Sequence, residues 1–364
     1  MTMDFLKGVT KDLEKAGLNV GASEPPRYWF STGNHVLNKI ISGSFYKGIP
    51  QGRLLCYTGP SGAGKSFLAA NAMREAQKDG AHVVVLDSEN ALDDDFVRAI
   101  GVDPDNNYTY IPVNTIPEVK KVVAAFIKGY KAEYGDDPDA PKILFVIDSL
   151  DMLLTETEEE QFDKGVTKGD QGQRNKQLKA MLRSFVQAVK RPNISMIVTA
   201  QVYKNQDVMN GEGVWIVSDA VKFSLSQIIM LTKLKLKETG SREVLGIRMK
   251  TEGYKTRFTK PYQTVTIEVP YDTGMDPYNG LLEVGVEMDI ITKKGSRYVM
   301  TGEDKTWYGR DFAEYAERTL EACEAKREKF LEANVDDSEV AGPDSRDSVK
   351  EQRRKKNGAE DKIS

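Results

Sequence analysis

The sequence has few residues of the types that build covalent cross-links or zinc clusters. Among 364 residues there are two cysteines, Cys56 and Cys323, and two histidines, His35 and His82. This number predicts neither a disulfide framework nor a Cys/His zinc site. Two reduced thiols in an intracellular protein are the expected state.

Long apolar runs and an excess of positive charge are also lacking. No apolar run approaches the roughly 20 residues that a membrane-spanning helix needs, and no secretory signal pattern opens the sequence. The 51 Lys and Arg face 55 Asp and Glu, for a net charge of -4. We therefore expect a cytoplasmic protein with no membrane partner, and a uniformly basic nucleic-acid coat is excluded.

Short apolar runs alternate with helical patterns along most of the chain. Hydrophobic residues make up 40% of the sequence, which is enough to bury a core. Mostly continuous apolar strands between helices predict an α/β fold with a parallel sheet, and alternating residues beyond 233 predict an antiparallel extension. The predicted sheet is therefore mixed and mostly parallel. Its predicted strands are 54–58, 82–87, 108–113, 143–148, 196–200 and 228–231, and the predicted helices are 65–78, 117–133 and 172–189.

Changes in composition divide the chain into four predicted segments. Apolar residues at helical spacing near the N-terminus predict an amphipathic helix, and we assign Trp29 and Phe30 to the same docking arm. After residue 333 the chain has no aromatic residues and mixes acidic with basic runs, as is typical of disorder. The segments are a helical oligomerisation arm at 1–30, a core at 31–275, a small αβ unit at 276–332 and a charged tail at 333–364.

One motif in the chain has the chemistry of a phosphate-binding loop. Residues 59–66 read GPSGAGKS, which fits G-x-x-x-x-G-K-[ST] between an apolar strand and a helix. In such a loop the backbone wraps the phosphates, the lysine reaches the β- and γ-phosphates, and the hydroxyl ligates Mg²⁺. The predicted ligand residues are Gly59, Pro60, Ser61, Gly62, Ala63, Gly64, Lys65 and Ser66.

Two acidic residues follow predicted strands at positions that would complete a hydrolytic site. Asp148 ends an apolar strand and is predicted to bind the metal together with Ser66. Glu89 lies just past another strand, where a carboxylate can polarise the water that attacks the γ-phosphate. The alternative is that Glu89 belongs to a solvated acidic loop, since Asp93, Asp94 and Asp95 follow it.

Several further segments form a set that extends over most of residues 30–320. They are Ser31-Thr-Gly33, 48–53 (GIPQGR), 87–93 (DSENALD), Ala200-Gln201, 219–223 (DAVKF) and 274–282 (GMDPYNGLL). Together with the phosphate loop this set resembles the RecA family, and within it most closely the UvsX recombinases of T-even-like phages. The resemblance implies a RecA-like P-loop NTPase core that binds ATP and Mg²⁺ and hydrolyses ATP in a DNA-dependent manner.

The resemblance also implies roles for individual residues. Glu89 would be the catalytic glutamate, Phe96 would stack on adenine with Asp93 nearby, and Gln201 would sense the γ-phosphate. Core packing is the alternative for Phe96, and a bond to a neighbouring loop is the alternative for Gln201. Residues assigned to the subunit boundary are Lys222, Phe223 and Lys250, with Lys255 or Arg257 as the second cross-subunit cation.

Two segments combine local positive charge with flexible backbone, and the resemblance identifies them as DNA-binding loops. Basic residues are dense between 164 and 191, and residues 203–217 add glycines and aromatic side chains that can stack on single-stranded bases. Without the resemblance, a solvated helix face and an ordinary surface loop would explain them equally well. The residues predicted to contact DNA are Lys164, Lys168, Arg174, Lys176, Arg183, Tyr203, Lys204 and Trp215.

These observations lead to one main functional hypothesis. The chain would form helical filaments of many copies on single-stranded DNA and exchange strands with homologous duplex, with a recombination mediator and a single-strand-binding protein as partners. The first alternative is a ring helicase of related core fold that translocates on single-stranded DNA. A small-molecule kinase is the second alternative, and it would need no paired basic segments.

Overall fold

The computed structural model of this chain describes residues 3–16, 25–166, 172–204, 215–237 and 243–340. The strands are β1 (Trp29–Phe30), β2 (Ile49–Pro50), β3 (Leu54–Thr58), β4 (His82–Asp87), β5 (Tyr108–Pro112), β6 (Ile143–Asp148), β7 (Ile194–Ala200), β8 (Val202–Lys204), β9 (Trp215–Val217), β10 (Gln227–Leu236), β11 (Gly246–Lys255), β12 (Thr264–Pro270), β13 (Ile291–Lys294), β14 (Arg297–Met300) and β15 (Thr306–Tyr308). The helices are α1 (Met3–Lys15), α2 (His35–Ser42), α3 (Lys65–Lys78), α4 (Asp94–Ile100), α5 (Ile116–Tyr134), α6 (Glu156–Asp163), α7 (Gln173–Ala188), α8 (Asp219–Ser224), α9 (Leu281–Glu287) and α10 (Ala316–Val340), with a 3-10 helix at Gly309–Glu314.

A sheet of eight strands forms the centre of the molecule. Its order is β12-β11-β10-β3-β7-β6-β4-β5. The strands from β10 to β5 are parallel to their neighbours, whereas β11 and β12 extend the sheet in antiparallel fashion. The predicted α/β fold with a mixed, mostly parallel sheet is confirmed.

Helices cover both faces of this sheet, which is why its central strands are apolar on both sides. Along β3, Leu55 and Tyr57 face the layer that contains α2 and α3. Leu54 and Cys56 face the layer that contains α5 and α7. The parallel strands therefore end at a single crevice between two buried layers, where ligands bind in open α/β sheets.

The start of the predicted core differs from the sequence-based assignment of an arm at 1–30. Trp29 and Phe30 form β1, which pairs with Ile49 and Pro50 of β2. Phe30 is fully buried in the main core and Trp29 packs edge-on against Phe258. The burial of Phe30 in its own subunit leaves no surface of this residue for docking, whereas docking by the half-buried Trp29 stays a prediction. The predicted N-terminal helix is present as α1, with Phe5, Val9 and Leu13 exposed on it.

A smaller unit of three antiparallel strands, β13 to β15, follows the large sheet. Trp307 is stacked against Tyr298 and Tyr315 in its core. Helix α10 joins this unit to the main body through Glu324, whose carboxylate accepts bonds of 2.8 Å from the Ser44 hydroxyl and from the Phe45 backbone N–H.

The last helix extends further than the composition predicted. Helix α10 runs to Val340, so the predicted start of a disordered tail at 333 falls inside a helix. Residues 341–364 lie outside the described residues. Within the part of the chain that the structure describes, no helix is both long and apolar enough to span a bilayer.

Candidate functional site

The carboxyl ends of four neighbouring strands bring the predicted nucleotide residues together. Strand β3 leads into the phosphate loop, β4 leads to Glu89, β6 ends in Asp148 and β7 leads to Gln201. We call this group, residues 59–66 with Glu89, Asp148 and Gln201, the nucleotide edge.

The phosphate loop packs so tightly that only glycine fits at two of its positions. A Cβ atom at Gly59 would lie 2.6 Å from the Leu231 carbonyl oxygen, and a Cβ atom at Gly64 would collide with the sulfur of Met249. Gly64 also has a φ of +97°, which side chains disfavour, and helix α3 begins directly after it. The first N–H groups of α3 therefore point into the crevice, as an anion site requires.

Lys65 is held inside this loop. Its ammonium donates to the carbonyl oxygens of Gly59 at 3.2 Å and Pro60 at 3.1 Å. Burial lowers the pKa of Lys65, and the nearby carboxylates of Glu89 and Asp148 oppose that shift. A buried ammonium that faces carbonyls and carboxylates is suited to bind a polyanion.

Asp148 has the properties of a metal ligand. The Thr199 hydroxyl donates to its Oδ1 atom, whereas Oδ2 is buried and no group in the described residues donates to it. Burial raises the pKa of Asp148, and the hydroxyls of Ser66 and Thr199 lower it to a smaller extent. An unpartnered carboxylate oxygen near a hydroxyl fits Mg²⁺, which takes few protein ligands and otherwise binds water and phosphate oxygens.

Glu89 is oriented by groups from two strand ends. The Ser149 hydroxyl donates to Glu89 Oε1 at 2.5 Å, and Ser149 is itself paired with Ser88 across the β4 and β6 ends. The buried Asp87 carboxylate accepts from the backbone N–H groups of Glu89 at 2.8 Å and Leu92 at 2.9 Å. Glu89 is thus oriented by groups at two strand ends while it remains exposed to solvent, and its role as the base stays a prediction.

Sequence reasoning missed three residues that build this edge: Asp87, Ser149 and Thr199. A signal was available for Asp87, because an aspartate two residues before Glu89 can accept its N–H in an Asx turn. No comparable signal exists for Ser149 or Thr199, since Ser149 lies 60 residues from Glu89 and Thr199 lies 51 residues from Asp148.

Comparison with known proteins gives a family for this arrangement. The model of the RecA N-terminal domain matches residues 18–276, which is well over half of the chain. The chain belongs to the RecA family. Proteins of the RecA family are DNA-dependent ATPases that use ATP and Mg²⁺, form filaments on DNA and act in recombination and repair.

Two relatives show the extent of the similarity. The chain is 28% identical to protein RecA of Acholeplasma laidlawii (strain PG-8A) over 288 residues, which cover 77% of this chain and 82% of the relative. It is 27% identical to protein RecA of Staphylococcus aureus (strain JH9) over 309 residues, covering 83% and 81% respectively. The range matched by the family model, 18–276, includes both the nucleotide edge and the predicted DNA segments.

The two residues predicted to contact adenine have clear partners in this RecA-family chain. Asp93 caps helix α4, and its carboxylate accepts from the Phe96 backbone N–H at 2.8 Å. Phe96 is half-buried and packs against the main core. Adenine stacking on Phe96 stays a prediction, and only the exposed part of the Phe96 ring is available to contact the base.

Seven of the eight predicted DNA residues fall into three groups in the structure, and the hydroxyl of the eighth, Tyr203, donates to Asp151. Lys176 and Arg183 are exposed seven residues apart on helix α7, opposite its buried face, and Lys164 is paired with Glu160 at 3.3 Å. Arg174 differs from the prediction of a cation facing DNA, because its guanidinium donates to the carbonyls of Leu150, Asp151 and Leu153. Lys168 lies outside the described residues, and Lys204 and Trp215 are described by their backbone pairing in β8 and β9.

The predicted subunit-boundary residues are exposed, as an interface with another copy requires. Phe223 is 63% exposed, and the ammonium groups of Lys179 and Lys222 lie 5.5 and 5.9 Å from its ring centre. Lys255 is tied down within its own subunit, since it donates to the Lys222 carbonyl at 2.7 Å. This bond favours Arg257, which is exposed, as the second cross-subunit cation.

Lys250 points away from the phosphate loop of its own subunit. Its neighbour in β11, Met249, is fully buried and contacts Gly64 of that loop. Because side chains alternate across a strand, Lys250 lies on the opposite face, where it is exposed and lines a groove with Asp276 and Tyr278. This direction is compatible with a role in another copy's site and not in its own.

Proposed function

We propose that this RecA-family protein is an ATP-dependent strand-exchange recombinase that forms helical filaments on single-stranded DNA. The observation that carries the proposal is the continuity between the nucleotide edge and the DNA segments. Strand β6 ends in Asp148 and continues towards α6 and α7, and β7 continues through Gln201 into β8. The second predicted DNA loop therefore begins two residues after Gln201, and the first is connected to Asp148 through helix α6.

The residues of the nucleotide edge have distinct roles in this proposal. Lys65 and the α3 N–H groups bind and orient the phosphates, Ser66 and Asp148 hold Mg²⁺, and Glu89 takes a proton from the attacking water. Bound Mg²⁺ supplies charge neutralisation at the phosphate oxygens. Gln201 contacts the γ-phosphate, and Lys250 reaches the ATP of the adjacent copy. Asp93 and Phe96 flank the adenine.

The proposal extends to organisation and partners. Helix α1 serves as the arm that docks on the next copy, and residues 31–275 and 276–332 form the ATPase core and the small αβ unit. Heterologous contacts that do not close generate a filament. We also propose that the protein is of the UvsX phage type, acts in recombination-dependent replication or repair, and works with a mediator and a single-strand-binding protein.

A ring helicase is the less favoured alternative, because the family model that matches is that of RecA. Electron microscopy with single-stranded DNA and a slowly hydrolysed ATP analogue separates the two. Filaments whose length follows DNA length support the recombinase, whereas rings of fixed size support the helicase.

The direct test is ATP hydrolysis with and without single-stranded DNA, followed by joint-molecule formation with homologous duplex. We expect stimulated hydrolysis whose DNA affinity falls steeply as salt rises, since phosphate contacts release counterions. Unstimulated hydrolysis together with no joint molecules would contradict the proposal.

A further inference from the structure

The carboxylate of Asp151 lies beside the ends of β6 and β7, the two strands that lead towards the predicted DNA loops. Asp151 follows β6 by three residues and is half-buried. Its Oδ2 atom accepts from the backbone N–H of Gln201 at 2.5 Å, and its Oδ1 atom accepts from the Tyr203 hydroxyl at 2.8 Å. One side chain from the segment after β6 thus binds both the backbone of the predicted γ-phosphate sensor and the first aromatic residue of the second loop.

The segment around Asp151 is braced from a third direction. Arg174, near the start of α7, donates to the Asp151 carbonyl, to the Leu150 carbonyl at 3.2 Å and to the Leu153 carbonyl at 3.0 Å. The Tyr203 hydroxyl is also close to Arg174, which lowers the pKa of Tyr203 against the larger effect of burial. Arg174 directly follows residues 164–173, so the brace connects the C-terminal end of the first loop to the segment after β6.

The same region is tied to the phosphate loop. The Gly59 N–H donates to the Ala200 carbonyl at 3.2 Å, and the Thr58 hydroxyl donates to the Gln201 carbonyl at 3.4 Å. The peptide units on both sides of the Gln201 Cα atom are therefore bonded, one to Asp151 and one to β3. A shift of the Gln201 side chain would move the Gln201 backbone. Asp151 is bonded to that backbone and to the Tyr203 hydroxyl, so the movement would reach Tyr203.

We propose that Asp151 is a positioning residue that couples the γ-phosphate sensor to both DNA loops. The carboxylate transmits the position of Gln201 to Tyr203 through hydrogen bonds, and Arg174 holds the first loop in register with it. Charge-assisted bonds of this kind are about twice as strong as neutral ones, so the connection is stiffer than a backbone contact alone. The inference rests on the proposed function, because it assigns a coupling role within that site.

The test measures coupling directly as a ratio of affinities. The Kd for a fluorescent single-stranded oligonucleotide is measured with ADP and with a slowly hydrolysed ATP analogue, and the first value is divided by the second. Coupling between two sites typically changes affinity about 5- to 150-fold, so the wild-type ratio should lie in that range. A wild-type ratio of one would contradict the proposed function itself.

With a coupled wild-type protein, Asp151→Ala should lower the ratio about fivefold or more. Asp151→Asn should lie closer to the wild type, because its amide oxygen accepts from Gln201 and its amide nitrogen donates to the Tyr203 oxygen. Tyr203→Phe should lower the affinity ratio less than Asp151→Ala does. The double variant should have the same ratio as Asp151→Ala, because both changes remove the same hydrogen bond between Asp151 and Tyr203.

Glu156→Ala is the matched control, because it removes one exposed negative charge from the same segment. It should strengthen DNA binding equally in both nucleotide states and keep the ratio. An Asp151→Ala ratio within twofold of the wild type, or an Asn variant as deficient as Ala, would overturn the inference. If Asp151→Ala does not fold, the other two variants decide the inference. A ratio that stays at the wild-type value in Asp151→Asn and falls in Tyr203→Phe supports the inference. Wild-type ratios in both variants overturn it.

Discussion

The nucleotide edge and the surface of helix α7 use charge in opposite ways. At the nucleotide edge, Lys65 and Asp148 are buried and their pKa values are shifted by that burial. On α7, Lys176 and Arg183 are exposed to solvent. The buried groups are oriented by the protein before any ligand arrives, whereas the exposed cations act by their number and proximity.

This difference has a consequence for sensitivity to substitution. A buried, oriented group is costly to replace, because its partners are left without a counterpart. An exposed cation gains little from any single contact and is screened by salt. Large, salt-insensitive effects are therefore expected at the nucleotide edge and small, salt-sensitive effects on α7.

The largest effect should come from Glu89→Gln. A general base contributes about 100- to 10,000-fold, so kcat for ATP should fall by that factor while ATP binding is retained. Single-turnover hydrolysis together with binding of a fluorescent nucleotide measures the two quantities. Asp95→Asn, an exposed change on α4, is the control and should turn over ATP normally. Normal turnover by Glu89→Gln would remove Glu89 as the base.

The next effect concerns Lys65→Ala, which should reduce turnover about 100- to 1,000-fold, as loss of a preorganised donor does. Lys78→Ala on the same helix, where Lys78 is exposed and paired with Glu75, serves as the control. The same residue gives a prediction for the pH dependence of ATP binding by the wild type. The lowered pKa means that Lys65 loses its charge at a lower pH than an ordinary lysine does. ATP affinity should therefore weaken as pH rises, beginning below the usual lysine pKa of about 10.4. A pH-independent affinity across that range would show that Lys65 does not bind phosphate as an ammonium.

An intermediate effect is expected for Lys250→Ala. A hydrogen bond to a charged group is worth about 1.5–3 kcal/mol, so ATPase of assembled filaments should fall about 10- to 150-fold. Nucleotide binding by the monomer should change little, because Lys250 faces away from its own phosphate loop. The exposed Lys260 provides the control variant, Lys260→Ala. Equal losses in monomer binding and filament turnover would argue against a role across the boundary.

The smallest effect should come from Lys176→Ala. Losing one phosphate contact should lower the slope of log affinity against log salt by about 0.7 for single-stranded DNA. Fluorescence anisotropy over a salt series measures this slope, and ATP binding without DNA should be unaffected. A hundredfold loss from this single change would break the contrast between the two regions, because it would mean that α7 also contains an oriented site.

The sequence predicts the central sheet well because its signals are local. The apolar runs predicted β3, β4 and β6 with the bounds that the structure shows. Strand β10 was also predicted, but it continues five residues beyond the predicted end, to Leu236. Helix α6 was missed because it consists almost entirely of acidic and polar residues. Its start nevertheless has a recognisable capping box between Thr155 and Glu158.

The site was predictable only in part, because the signals that reveal its residues are local and the contacts that orient them are not. Motif spacing predicted that Lys65, Ser66, Glu89 and Asp148 share a site, and the structure brings these residues together at the carboxyl ends of the strands. The groups that orient them come from elsewhere in the chain, as Ser149 does for Glu89. Arg174 shows the converse case, because its positive charge predicted a DNA contact and the structure shows its guanidinium donating to backbone carbonyls. Pairings between distant segments leave no periodic trace in a sequence.

The alternation along β11 has a mechanical consequence for a filament. Met249 touches the phosphate loop of its own subunit, and Lys250 faces the other way. In the proposed assembly, consecutive ATP sites would be separated within each subunit by a single peptide unit of one strand. Strain from hydrolysis in one site would then reach the next through a stiff, hydrogen-bonded ribbon. Hydrolysis at neighbouring sites of such a filament would then be coupled mechanically.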